Sequence, residues 1–388
     1  MDKKVLWIIS ELFYPEETAT AYILTAIANR LADKYVIHVL AGHEVYSVNN
    51  ARGVGLADGI DVRRIAGKRI DKNNIVKRVW RAIYLSRKFA RILDREARKG
   101  DTVIAVTNPV LNIVTVSKTC RRLGLKFIIF AHDVFPENAV PAGLISGKNP
   151  LYLALVSVFN RAYKRADMVV ACGSDMKKVL EKKTGSSCHP VIYSIPNWSN
   201  QDIIHPSANV NTGAIKIKFA GNLGRVQGLD AILAIVKRLS NDDIQFIFQG
   251  DGAFSDLIKK AESPNLLTKG PYKRDNEQDV LSECDIGLVS LSPGMYGLGV
   301  PSKSYNLMAA GKPILFIGPA HTEIYEMIKE NDIGWAFDIH EEEEIVRFLE
   351  SIRISDRGSI AEKGMRARKL AESTYSKESI LNQYHEII

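Results

Sequence analysis

Ile215-Lys216-Ile217-Lys218-Phe219-Ala220-Gly221-Asn222-Leu223-Gly224-Arg225-Val226-Gln227-Gly228 is the stretch on which the fold turns. A short β-rich apolar run, 215–219, enters a glycine loop, and an apolar helical pattern, 229–238, leaves it. Strand, loop and helix make the first half of a βαβ unit. Glycines in such a loop let backbone N–H groups approach an anion, to which the helix N-terminus adds its positive end. Arg225 supplies a charged fork that suits a phosphate. The loop is neither Gly-x-Gly-x-x-Gly nor a Walker A sequence, and neither occurs elsewhere in the chain. A tight turn whose glycines serve packing alone is the competing reading.

The same alternation extends in both directions. Short β-rich runs fall at 5–9, 36–40, 60–65, 102–106, 126–130 and 168–171, with helical patterns between them, such as 21–32 and 74–93. A second series runs through 215–219, 244–248, 285–290, 314–317 and 335–337. Strands alternating with helices predict parallel, doubly wound α/β sheets. The segment 196–213, rich in Pro, Asn and Ser, reads as a linker between two such domains. The expected organisation is a domain over 1–195, the linker, and a second domain over 214–372. A final helix over 377–387 follows Ser376 as its N-cap. Ligands of such sheets sit beyond the C-terminal ends of the strands, so a shared ligand would occupy the cleft between the domains.

The 388 residues, 46% hydrophobic and 25% charged, suit two globular domains and exclude wholesale disorder. The net charge of +8 is unevenly placed: residues 1–195 carry 31 basic and 17 acidic side chains, and the remainder 21 and 27. Two parts that meet different partners are therefore expected. Cys120, Cys172, Cys188 and Cys284 form no Cys-x-x-Cys pair, which argues against a zinc ribbon or a disulfide framework and for reduced thiols. The apolar run after Lys4 breaks at Ser10-Glu11, too soon for a signal peptide, and no stretch approaches the ~20 apolar residues needed to span a bilayer.

Three further clusters bear chemistry. In Pro301-Ser302-Lys303-Ser304-Tyr305-Asn306, Ser302 is placed to cap a helix that runs towards Gly311. Lys303 then falls in the first turn, where a cation is unfavourable unless an anion binds nearby; Gly297 and Gly299 precede it. In His132-Asp133-Val134-Phe135-Pro136-Glu137, a His-Asp pair follows a strand, where α/β folds place reactive groups. Asp133 or Glu137 suits fixing a sugar hydroxyl or acting as a base, and a loop histidine capped by its neighbours is the alternative. Ile195-Pro196-Asn197-Trp198 reads as a hinge turn.

The stretch 63–99 holds fourteen Lys/Arg and three acids. Within it the 74–93 pattern places Ile75, Val76, Val79, Trp80 and Ile83 on one side and Arg78, Arg81, Lys88 and Arg91 on another. Such a helix suits an anionic membrane surface. No recognised binding motif accompanies the charge, so nucleic acid is not the expected partner.

Together these motifs resemble the GT-B glycosyltransferases of family 4, in the WbuB-like branch that builds bacterial surface polysaccharides. The resemblance spans nearly the whole chain and rests on Phe13-Tyr14-Pro15-Glu16, His132 to Glu137, Ile195 to Trp198, Gly221-Asn222-Leu223-Gly224 with Gln227-Gly228, and Pro301-Ser302-Lys303 through Pro313. It implies two Rossmann-like domains facing each other across a cleft, the first binding the acceptor and the second a nucleotide-sugar, with residues 373–388 crossing back to the first domain. It also implies retention of configuration, no metal or other cofactor, and a polyprenyl-diphosphate-linked saccharide as acceptor at the cytoplasmic membrane face. Gly221, Asn222, Gly224, Arg225, Gln227, Ser302, Lys303 and Asn306 become the candidate nucleotide-sugar site. His132, Asp133 and Glu137 become the catalytic candidates, and Arg78, Arg81 and Lys88 the acceptor or membrane contacts. The family's usual Arg and Lys of the diphosphate loop match Asn222 and Gln227 here, and its pair of glutamates matches Leu298 and Asn306. Arg225 and Lys303 are left to supply positive charge, with a UDP-sugar as expected donor. A non-catalytic scaffold of an assembly complex and a nucleotide-sugar epimerase are the alternatives.

Overall fold

A computed structural model describes residues 3–16, 18–43, 55–67, 75–185, 190–207 and 213–388. Glu17, Asn74, Cys188 and 208–212, which entered the sequence reading, lie outside the described residues, as do the side chains of Ile75 and Val76.

The first sheet has seven parallel strands, β1 (Lys4–Ser10), β2 (Tyr35–Gly42), β3 (Asp61–Ile65), β4 (Thr102–Val106), β5 (Lys126–Ala131), β6 (Met168–Ala171) and β7 (Val191–Ser194), in the order β3-β2-β1-β4-β5-β6-β7. Its helices are α1 (Ala19–Leu31), α2 (Ile75–Glu96), α3 (Asn112–Leu123), α4 (Pro150–Tyr163) and α5 (Ser174–Thr184). The second sheet has six, β8 (Ile215–Asn222), β9 (Ile244–Asp251), β10 (Leu266–Lys269), β11 (Ile286–Ser290), β12 (Ile314–Gly318) and β13 (Gly334–Asp338), in the order β10-β9-β8-β11-β12-β13. With it come α6 (Leu229–Val236), α7 (Ser255–Lys259), α8 (Glu277–Ser282), α9 (Lys303–Ala309), α10 (Glu323–Asn331), α11 (Glu342–Ser351), α12 (Arg357–Glu372) and α13 (Lys377–Ile387). Strand order reverses beside β1 in the first sheet and beside β8 in the second, which opens a crevice at each point.

Helices cover both faces, so the central strands are continuous apolar runs. Every residue of β4, β11 and β12 is buried, and each fully buried Val, Ile or Leu contributes roughly 1.5–3 kcal/mol. Thr18 caps α1 by accepting from Ala21 N at 3.1 Å, and Ser376 caps α13 by accepting from Ser379 N at 3.3 Å. Helix α13 packs on α1: Tyr35 Oη donates to the Ile388 carbonyl at 2.6 Å, and His385 Nε2 lies 3.1 Å from Asp33 Oδ2.

Two expectations change, and the linker turns out to be packed chain. The helix after the glycine loop ends at Val236 rather than 238, and a short 3-10 turn, Arg225–Gln227, precedes it. Residues 196–207 are no solvated tether: Trp198 and Ile204 are buried, and Arg368 of α12 donates to the carbonyls of Ile204 and Ala309. In α2 the buried stripe is Ala82, Leu85, Ser86, Phe89 and Leu93, while Val79 and Trp80, assigned to an apolar side, are 49% and 67% exposed. A mixed helix supports more than one 3.6-residue stripe, and contact with α3 selects the one further along the chain.

Candidate functional site

The candidate residues form two clusters, one on each domain. On the second domain, β8 and β11 pair only at Ile217↔Ile286 and Lys218↔Gly287 and then part. The stem of Lys303, the first residue of α9, enters the gap beside Ala220 and Leu288. Its ammonium rests 3.3 Å from the centre of the Phe219 ring, buried and without a hydrogen-bond partner. Burial pushes this amine down to about 7, because a desolvated ammonium with no counterion is disfavoured. An aromatic face compensates only part of that loss.

Polar atoms around this crevice are also unsatisfied. Gln227 Oε1, Gln249 Oε1 at the end of β9, Ser290 Oγ in β11 and Ser292 Oγ just beyond it are buried without partners. Buried groups left so cost roughly 1–3 kcal/mol each, and ligands of doubly wound sheets sit beyond the strand ends near the strand-order reversal, which makes these residues candidates for a ligand's polar contacts. Sequence reading missed Gln249, Ser290 and Ser292. Their only signal is polarity at the ends of otherwise apolar strands.

The glycines divide. Gly221 has φ +128° and lies beside Lys303: a Cβ there would stand 3.8 Å from Nζ. A Cβ on Gly228, φ +60°, would meet Ser292 Cα at 3.1 Å, so close packing explains it. Gly224 opens the 3-10 turn, and Arg225 stands exposed at its start with Asn222 exposed nearby. Ser302 makes no side-chain cap; Ser304 Oγ donates to the Pro301 carbonyl instead. Asn306 is already engaged, its Nδ2 donating to Glu277 Oε1 at 2.8 Å and its Oδ1 accepting from Asn200 Nδ2 at 2.8 Å. Ser302 and Asn306 share a small cleft pocket with Tyr22, Asn197 and Trp198.

On the first domain, the backbone N–H groups of His132 and Asp133 point at the Thr107 hydroxyl, 3.2 and 3.4 Å away. The loop then docks on the other domain through its backbone: Asp133 bridges Gly299, and Val134 N donates to the Leu298 carbonyl at 3.0 Å. Gly297 N donates to Asp175 Oδ2 of α5 at 3.1 Å, and Ser174 N donates to Glu323 Oε2 at 2.8 Å. Gly297 and Gly299 therefore serve the contact between domains rather than an anion. Burial holds the His132 imidazole down to about 4, so it is neutral at pH 7. Asp133 is exposed to the cleft between the domains, and the protein packed around it takes enough water from its carboxyl to raise it to about 6.

Glu137 departs from its expected place. It is ion-paired to the buried Lys183 of α5, and its second oxygen is buried without a partner, so it anchors the loop from behind. Arg81 departs likewise. Its side chain is 9% exposed and held by the Glu11 carboxylate and the His43 carbonyl, whereas Arg78 is exposed and Lys88 lies over the Tyr84 ring. An arginine bound in this way is no free membrane contact.

Residues 25–198 match the family described as Glycosyltransferase Family 4. Over 396 residues the chain is 30% identical to the probable glycosyltransferase WbjE of Pseudomonas aeruginosa, covering 98% of this chain and 96% of the relative. It is 23% identical to WcaI of Escherichia coli strain K12, whose name ties it to colanic acid biosynthesis, over 76% of this chain and 75% of that one. Among solved structures it superposes on Anabaena HepE in complex with UDP with a TM-score of 0.70 at 14% identity, covering 99% and 98% of the two chains.

Proposed function

Since the chain belongs to glycosyltransferase family 4 and has the GT-B fold, we propose that it moves a sugar from a UDP-sugar to a polyprenyl-diphosphate-linked saccharide in bacterial surface-polysaccharide assembly. The observation that carries this reading is Lys303, a buried ammonium without a counterion amid partnerless polar atoms. A diphosphate supplies both the charge and the acceptor oxygens such a crevice needs. The colanic acid relative and the UDP-bound neighbour support polysaccharide and nucleotide respectively.

In the proposed reaction the bond between the anomeric carbon and the diphosphate oxygen breaks, and the acceptor hydroxyl forms the new bond on the same face. The hydroxyl proton passes to the departing phosphate, so no protein base is required. Charge builds on the leaving diphosphate, and preorganised donors lower that barrier most. Lys303 meets it by swinging its stem out from Phe219 towards Gly221, while Arg225 closes from the loop and the Gly221 and Gly224 amides add dipoles. These groups act without a metal. Neutral His132 offers one donor and one acceptor to the donor sugar, and Asp133 accepts from a hydroxyl. The backbone contacts between domains exclude water and so limit donor hydrolysis. Arg78 and Lys88 face anionic lipid at the inner side of the cytoplasmic membrane. Among the described residues no helix is long and apolar enough to cross it.

A panel of UDP-sugars, with UDP release as the readout, tests the reading. Release that requires a lipid-linked acceptor is expected. UDP binding without release under any condition would assign a scaffold role, and acceptor-independent interconversion of the sugar would assign an epimerase.

A further inference from the structure

Helix α5 of the first domain and helix α10 of the second meet by their N-termini at the seam between the domains. Both ends carry partial positive charge and spare N–H groups, so their meeting is unfavourable unless anions answer it. Neither N-cap side chain serves its helix: Gly173 has none, and the Thr322 hydroxyl donates to the Pro319 carbonyl instead. The carboxylates come from across the seam. Glu323 of α10 accepts from Ser174 N at 2.8 Å, and Asp175 of α5 accepts from Gly297 N at 3.1 Å. We propose that Asp175 and Glu323 are positioning residues for the transfer, a reciprocal pair of carboxylates that holds the domains shut and fixes the loop leading to Lys303. The inference rests on the transferase reading put forward above.

Glycines on both sides allow the close approach. A Cβ on Gly173 would stand 2.9 Å from Glu323 Cβ, and one on Gly297, φ +66°, would stand 2.6 Å from Val179 Cγ2 of α5. Charge is balanced by the same contacts. Burial raises the Asp175 carboxyl and the Glu323 carboxylate adds to this, while the N–H groups of Met176, Gly297 and Glu323 oppose it. Two acids brought so near each other repel unless each has donors, and the opposite domain supplies them. The consequence for the site runs along the chain. Asp175 grips the loop 297–300 at Gly297 N and Val134 N grips it at the Leu298 carbonyl, and α9 begins just beyond at Lys303. A displacement of about 1 Å there would cost transfer about 10²-fold. A cavity of about 460 Å³ lies against Ser174 and Glu323, which leaves the Glu323 carboxylate room to withdraw as the domains part.

Amide hydrogen exchange of the full chain, followed at Ser174 and Gly297, tests the pairing, and kinetics test its purpose. Glu323→Ala removes the acceptor of Ser174 N–H alone. Exchange should nonetheless quicken about tenfold at both amides, the factor of one lost hydrogen bond to a charged group, because the seam opens as a unit. Glu323→Gln keeps an acceptor oxygen and should restore both. Asp175→Ala should free the same two amides. Glu323 is half-exposed, so its variants keep the fold even where the substitution at the buried Asp175 does not. With a UDP-sugar that wild type turns over, Glu323→Ala should raise KM about tenfold, since part of the binding energy must now close the domains. Donor hydrolysis should gain on transfer as water enters, and Glu323→Gln should reverse both changes. Faster exchange confined to the amide whose acceptor was removed would overturn the pairing. An unchanged KM and an unchanged ratio of hydrolysis to transfer in Glu323→Ala would overturn the positioning role. The two failures are distinguishable: transfer by wild type with uncoupled amides sinks this inference alone, and no turnover of any UDP-sugar by wild type sinks the transferase reading and the positioning role with it.

Discussion

Arg81 and Lys303 are both buried cations beside a point of strand-order reversal, and their surroundings are opposite. Arg81 has the Glu11 carboxylate and a backbone carbonyl, whereas Lys303 has an aromatic ring and no hydrogen bond. A buried charge with a partner belongs to the architecture. A buried charge without one is tolerated only where something else will neutralise it. That contrast explains why sequence reading assigned Arg81 to the surface and the structure does not, and why Lys303 keeps its proposed role.

Replacing each by methionine should break the comparison in opposite ways. Lys303→Met is expected to reduce sugar transfer about 10²–10³-fold while leaving the thermal midpoint unchanged or higher, because an unpaired buried charge is removed. Transfer within a few-fold of wild type would place the diphosphate elsewhere. Arg81→Met removes the ion-pair partner of the half-buried Glu11, so chemical denaturation should show a loss of about 1–3 kcal/mol, part of which a second substitution, Glu11→Gln, restores.

A smaller effect tests the loop of the first domain that meets Gly299. Asp133 has a raised carboxyl, ionised only above about pH 6. Transfer should therefore fall as pH drops through 6, by up to tenfold per unit below it. His132, held down to about 4, adds no step in that window. In Asp133→Asn the acid limb of the rate profile should flatten; an unchanged limb would remove Asp133 from contact with substrate. Smallest is the difference between two caps. Thr18→Ala should lower stability by about 0.5–2 kcal/mol, and Ser302→Ala by nothing measurable, since only Thr18 bonds its helix.

Most of the fold was legible because central strands of a parallel sheet are continuous apolar runs. The two strands not anticipated, β7 and β10, lie at sheet edges with half their side chains exposed, so no such run marks them. The motifs around His132, Gly221 and Lys303 were legible as loops after strands, and their partners were not. Glu137 meets Lys183 from 46 residues away, and Asn306 meets Asn200 and Glu277 from 106 and 29. Only the folded chain brings such pairs together. Ser290 and Gln249 went unnoticed for the same reason: a single polar residue ending a strand has meaning only beside other unsatisfied groups.

The central claim is that the Lys303 ammonium awaits a diphosphate. Its own titration, followed by NMR of the Lys303 side chain at pH 8 with and without UDP, tests this most directly. Without UDP the amine, held near 7, should be mostly neutral. UDP should protonate it and carry its pKa above the ordinary lysine value of about 10.4. A Lys303 signal unmoved by UDP, in a protein that binds UDP, would contradict the account.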